Sequence, residues 1–75
     1  MDRYKNLGGN SGVVGYEIAD TSIKVGFRDG SIYLYTYQSA GGENIEHMKK
    51  LAVAGQGLNS FIGRAVRKRY ASKLR

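Results

Sequence analysis

The chain has 75 residues, no cysteine, one histidine and a net charge of +6. That length makes one domain with a marginal core, and the missing cysteines leave neither a disulfide framework nor a structural zinc site. No apolar run approaches the ~20 residues of a membrane span, and the opening MDRYKNLGGN lacks the apolar stretch of a signal peptide, so the expectation is a cytoplasmic protein with no membrane partner.

Residues 1–10 contain two adjacent glycines and little apolar content, which predicts a mobile N-terminal arm. The domain proper is expected over residues 11–75. Val13 to Ile18 (VVGYEI) reads as a first strand, and Ala19 to Ser22 as a polar turn. In the next stretch Ile23, Val25 and Phe27 alternate with Lys24, Gly26 and Arg28. That period of two marks a half-buried strand. Asp29-Gly30 then supplies a turn, and Ile32 to Tyr37 is β-branched, aromatic or aliphatic throughout. The two runs form a hairpin.

Two registers of this hairpin are open. A two-residue turn pairs Phe27 with Ile32; Ile32 and Leu34 then join the core, and Tyr33, Tyr35 and Tyr37 face outward beside Lys24 and Arg28. A three-residue loop pairs Phe27 with Ser31 and exchanges every side chain between faces. The first register builds an aromatic and basic platform for stacking bases. The second places a row of tyrosines at the core margin and turns Ile32 and Leu34 away.

Gln38 to Gly42 is expected to end the sheet. Glu43 to Ala54 has helical period, with Ile45, Met48, Leu51 and Ala52 on one face and Gly55 as its C-cap. Glu43 and Glu46 in its first turn are ordinary helix-start acids. After Gly55-Gln56-Gly57, a second helix is expected, capped by Asn59 or Ser60. Phe61, Ile62, Ala65, Val66, Tyr70 and Leu74 recur at helical spacing. Phe61 and Ile62 should be buried; Arg64, Arg67, Lys68 and Arg75 fall on the opposite face. Arg69 and Lys73 sit within the apolar arc, so the helix should leave the body beyond about Val66 to Tyr70. The predicted architecture is α+β: a three-stranded antiparallel meander followed by two helices on one face of the sheet (β-β-β-α-α).

The charges of residues 1–60 cancel, and Arg64, Arg67, Lys68, Arg69, Lys73 and Arg75 carry the entire excess. A localised basic element points to an anionic partner. Guanidinium groups suit phosphate oxygens because their donors form a planar fork. Arg64, Arg67, Lys68 and Arg75, with Lys24 and Arg28 on the hairpin, are therefore the candidate nucleic-acid contacts, and Tyr33, Tyr35 and Tyr37 the candidate stacking residues. His47 stands alone and reads as a surface residue. No pair of histidine, cysteine or convergent carboxylates points to catalysis, a metal or a cofactor. Asp20 and Asp29 read as turn residues. Gly55-Gln56-Gly57-Leu58-Asn59 could cradle a phosphate, but it lacks the lysine of a nucleotide-binding loop and follows a helix, so it reads as a helix–helix turn.

The ordered set Val14-Gly15-Tyr16, Ile23-x-Val25-x-Phe27, Gly30, Tyr33-x-Tyr35, Gly55-x-x-Leu58-Asn59-x-x-Ile62 and Tyr70 resembles the KTSC domain. That small domain occurs at the C-terminus of some bacterial lysyl-tRNA synthetases and as short bacterial and phage proteins. The resemblance covers Ser11 to Tyr70 and implies the β-β-β-α-α fold, a non-catalytic role and RNA as a partner. It also implies the bulged register, since relatives often carry a polar residue between the two tyrosines. The chain departs from the family's pattern at Leu58, where an aromatic is common, and at Tyr70, which follows Ile62 at a longer interval. The alternative function is a protein-interaction or homodimer surface on the exposed sheet.

Overall fold

A computed structural model describes all residues, 1–75. It is α+β, with five antiparallel strands in the order β1-β2-β3-β4-β5. The strands are β1 (Asp2–Arg3), β2 (Val13–Ala19), β3 (Ser22–Phe27), β4 (Ile32–Thr36) and β5 (Ser72–Lys73). Between β4 and β5 lie α1 (Tyr37–Ala40), α2 (Gly42–Ala54) and α3 (Leu58–Phe61), the last prolonged by a π-helical turn, Ile62–Val66. The three-stranded meander is present as β2-β3-β4. The expectation of three strands and two helices is corrected by a short strand at each edge and an extra helical turn.

The hairpin adopts the bulged register. Val25 pairs with Tyr33 and Gly26 with Ile32. The Phe27 N–H donates to the Ser31 carbonyl at 2.8 Å. A two-residue type I′ turn needs positive φ at both Asp29 and Gly30. Only Gly30 has it, at 92°. Asp29 instead accepts from the Ser31 N–H at 2.9 Å and from its hydroxyl at 2.6 Å, which fixes the three-residue loop. These bonds hold the Asp29 carboxyl below its usual range.

One face of the sheet therefore carries Val13, Ile23, Val25 and Tyr35 into a single core with Ile45, Met48, Ala52, Leu58, Phe61, Ile62 and Val66. A bulge between Val13 and Gly15 lets both Val13 and Tyr16 face that core. Phe61 and Ile62 are buried, as their helical spacing predicts, while Leu51 packs at the margin. Gly55 ends α2 in a left-handed conformation. A Cβ there would also come 2.5 Å from the Lys5 Cβ, so glycine meets two demands at this position.

β4 stops earlier than its apolar run implies. The Thr36 hydroxyl accepts from the Ser39 N–H at 3.1 Å, and the Ser39 hydroxyl accepts from the Thr36 N–H at 3.0 Å. This reciprocal cap starts α1, so Tyr37 opens a helix and lies outside the strand.

Both ends of the chain depart from expectation. Residues 1–10, expected as an arm without a docking place, have one. Asp2 pairs with Tyr16 and Arg3 with Gly15. Tyr4 is only 3% exposed and joins the core. At the other end, the long basic helix is absent. Arg67 takes φ 42° and terminates the helical segment after Val66. The chain then reverses, and Tyr33 pairs with Lys73 and Leu34 with Ser72. Tyr70 fills the corner, with ring centroids 4.7 Å from Tyr33 and 6.2 Å from Tyr35. Arg69 and Lys73 do not fit an apolar helical arc because no helix is there.

Candidate nucleic-acid interface

The C-terminal cations are brought together by a different route from the one their spacing implies. Arg64 projects from the π-helical turn, with its guanidinium carbon 5.9 Å from the Phe61 ring centroid. Arg67, Lys68 and Arg69 follow in the reversal and are exposed. Lys73 lies on β5, its Nζ 5.8 Å from the Tyr33 ring centroid. Arg75 is anchored by its backbone, the Ile32 N–H donating to its carbonyl at 3.1 Å. The six cations thus form a rim along the end of α3 and the β5 edge, rather than one face of a helix.

The rim's charges are not spent inside the protein. The two ion pairs are Lys24–Glu17 at 3.4 Å and Lys49–Glu46 at 2.7 Å. None of the six C-terminal cations takes part in either. Lys24, a candidate contact from its sequence, is paired with Glu17. Arg28 is exposed and uses its guanidinium to donate to the Ser11 carbonyl at 2.9 Å, which ties the β3–β4 loop to the N-terminal segment. Both belong to the surface but stand apart from the rim in role.

The tyrosines are rearranged more strongly. Tyr35 is 2% exposed and cannot offer a ring face to a base. Burial, then the neighbouring Tyr33 and Tyr70, push its phenol up to about 12. Tyr33 is half-buried, in edge contact with Phe27 at 5.6 Å and with Tyr70. Tyr37 is exposed, but its hydroxyl donates to the Glu46 carboxylate at 2.6 Å. Lys49 completes that cluster, donating to Glu46 and to the Asp20 carbonyl at 2.8 Å. Bonds from Lys49 and then Tyr37 hold the Glu46 carboxyl low, while the Glu46 contact raises the Tyr37 phenol. The outward aromatic platform is therefore corrected: Tyr35 is core, Tyr33 is a packing surface for the C-terminal segment, and Tyr37 clamps α1 to α2.

No family model, curated protein or solved structure matches the chain.

A second feature was not legible in the sequence. A polar cleft of about 180 Å3 opens between the N-terminal loop and the start of α3. Asn6, Asn10 and Ser11 line one side, and Gln56, Asn59 and Ser60 the other. Tyr4 forms the floor, its hydroxyl accepting from the Leu58 N–H at 3.2 Å. Gly57, with φ 82°, is the N-cap of α3, so neither Asn59 nor Ser60 caps it as expected. The Gly55-to-Asn59 loop is a helix–helix turn, yet it also forms a wall of this cleft. Asn59 carried a weak signal as a residue after a glycine-rich turn. Tyr4, Asn6 and Asn10 carried none. His47 is an exposed residue with its ring 4.6 Å from that of Phe61.

Proposed function

We propose that the protein is a non-catalytic module that binds RNA or another nucleic acid through the basic rim of Arg64, Arg67, Lys68, Arg69, Lys73 and Arg75. One observation carries the reading: the whole net charge is gathered on an exposed segment whose cations form no salt bridge. Such a surface gains affinity by displacing counterions from phosphates and reads no sequence by itself. The resemblance to the KTSC domain agrees with this role. The placement of the rim along a sheet edge and helix end supports phosphate contacts along a line rather than insertion of a helix into a groove. Titration of a labelled single-stranded RNA at several salt concentrations tests it. A log–log slope of about 0.7 per phosphate contact is expected; affinity independent of salt contradicts it.

A second reading has its own observation. The sheet face opposite the core bears no helix. Ile32 and Leu34 are half-exposed there, and the Met1 sulfur lies over Gly15 and Gly26, 3.5 and 3.3 Å from where their Cβ atoms would be. An apolar strip of this kind suits a second copy of the chain or a protein partner. Sedimentation at rising salt separates the two readings, because an apolar interface persists where phosphate contacts fade.

A further inference from the structure

The cleft beneath the N-terminal loop has chemistry that the rim does not use. None of its nine lining residues is charged, and Tyr4 is the only hydrophobic one. The carboxamides of Asn10, Gln56 and Asn59 form no hydrogen bond within the protein, unlike that of Asn6, which accepts from the Ser11 N–H. The Asn59 and Ser60 N–H groups, which open α3, have no acceptor either. The buried Tyr4 hydroxyl accepts from Leu58, but its own proton has no acceptor. A phenol both donates and accepts, so one donor at the Tyr4 position beneath the cleft has no partner in the protein. The cavity thus presents donors and acceptors side by side, in a space well below the roughly 300–1,000 Å3 of sites for drug-sized ligands.

We propose that the cleft receives one unpaired base of the strand held by the rim; the inference rests on the nucleic-acid reading above. Three features favour a base over other occupants. Carboxamides match the mixed donor and acceptor edge of a nucleobase, which they can bind in pairs. The lining is uncharged, so it offers no counterion to an isolated anion. The first rim cation is also near in the chain: Ser60 lines the cleft, and Arg64 stands four residues on, about one helical turn away. A strand whose base enters the cleft would leave it beside the first rim cation. Only single-stranded segments free a base edge for this contact. The rim then supplies affinity, and the cleft supplies preference among bases.

The test compares labelled hexamers of rA, rC and rU at one low salt concentration. They are titrated into the wild-type chain, Asn59→Ala and Gln56→Ala. Both positions are exposed, and thermal unfolding of each variant verifies the fold. The wild type should prefer one hexamer by about 5- to 150-fold, the range of one paired contact to a base edge. The two substitutions should level that preference while leaving the salt slope unchanged. Equal wild-type binding of all three hexamers overturns the cleft and leaves the rim standing. Preference retained in both variants also overturns the cleft. Inorganic phosphate alone, if it shifts the Asn59 and Ser60 amide resonances as the hexamers do, shows an anion site and overturns the base assignment. Failure of every hexamer to bind overturns rim and cleft together.

Discussion

The two ends of the chain reach the same kind of place by different means. Each adds a two-residue strand to an edge of the sheet, β1 beside β2 and β5 beside β4. A ladder so short holds little by itself. The N-terminal end is fixed by Tyr4, which is buried and whose hydroxyl accepts a backbone N–H from the start of α3. The C-terminal end is fixed by Tyr70, half-buried, with its ring against Tyr33 and Tyr35. The difference follows from charge. The first end is close to neutral and can bring its tyrosine into the core. The second carries six cations that must stay in water, so it attaches through the Tyr70 ring and backbone hydrogen bonds to β4 and leaves its charged side chains outside. One end is part of the fold; the other is a charged surface pinned to it.

Substitution of the two anchors breaks this comparison most directly. Tyr4→Ala should cost roughly 3–5 kcal/mol, the usual loss for a buried aromatic. That is a large share of the stability of so small a domain. Tyr70→Ala should cost less, because the ring is only partly buried. It should chiefly release residues 71–75, raising their amide exchange. Chemical denaturation of both variants measures the order, and a larger loss at Tyr70 would reverse the assignment of roles.

Tyr35 gives a pH test of the same region. Its phenol is raised from 10.0 to about 12, mainly by burial. The folded chain therefore keeps the proton longer than the unfolded one. Stability from this group is complete below pH ~10 and is lost as pH rises from there toward ~12. Tyr35→Phe removes the titrating group and should flatten the midpoint profile over that window. An unchanged profile would show that Tyr35 is not the buried phenol.

Smaller effects sharpen the picture at each end. Tyr4→Phe keeps the ring and leaves the Leu58 N–H without its acceptor, at about 1–2 kcal/mol by thermal unfolding. Arg67 holds φ 42° without being glycine, a conformation that costs a side chain of order 1–3 kcal/mol. Arg67→Gly should therefore raise stability by about 1 kcal/mol, while removing one rim cation. Loss of stability would show that the Arg67 side chain makes a compensating contact.

These contrasts explain what the sequence could and could not disclose. Alternation at Ile23, Val25 and Phe27 and the period of three and four at Ile45, Met48 and Ala52 were legible because many residues repeat one signal. The hairpin register was not, because one residue in a loop decides it, and only Gly30 among the turn residues takes positive φ. The mismatch of Arg69 and Lys73 with the apolar arc marked a change near Val66, but it read as a helix leaving the body, whereas the helical segment ends there. It could not show the reversal into β5, since two residues carry no period. The Thr36 and Ser39 cap was readable in principle but was masked by the aromatic run that continues into Tyr37. Tyr4 was a single tyrosine in a polar stretch, and the cleft above it depends on a contact between residues 54 positions apart.

The rim is proposed to bind nucleic acid through exposed cations that lie outside any salt bridge. The direct measurement is the affinity for a single-stranded RNA across salt, for the wild type and for Arg64→Gln, Arg67→Gln, Lys68→Gln combined. All three side chains are exposed and outside the ion pairs, so the fold should survive. Weaker binding of every sequence is expected, with a slope reduced by about 0.7 for each phosphate that the variant no longer neutralises. An unchanged slope and affinity in the folded triple variant would contradict it and shift the weight to the open apolar face of the sheet.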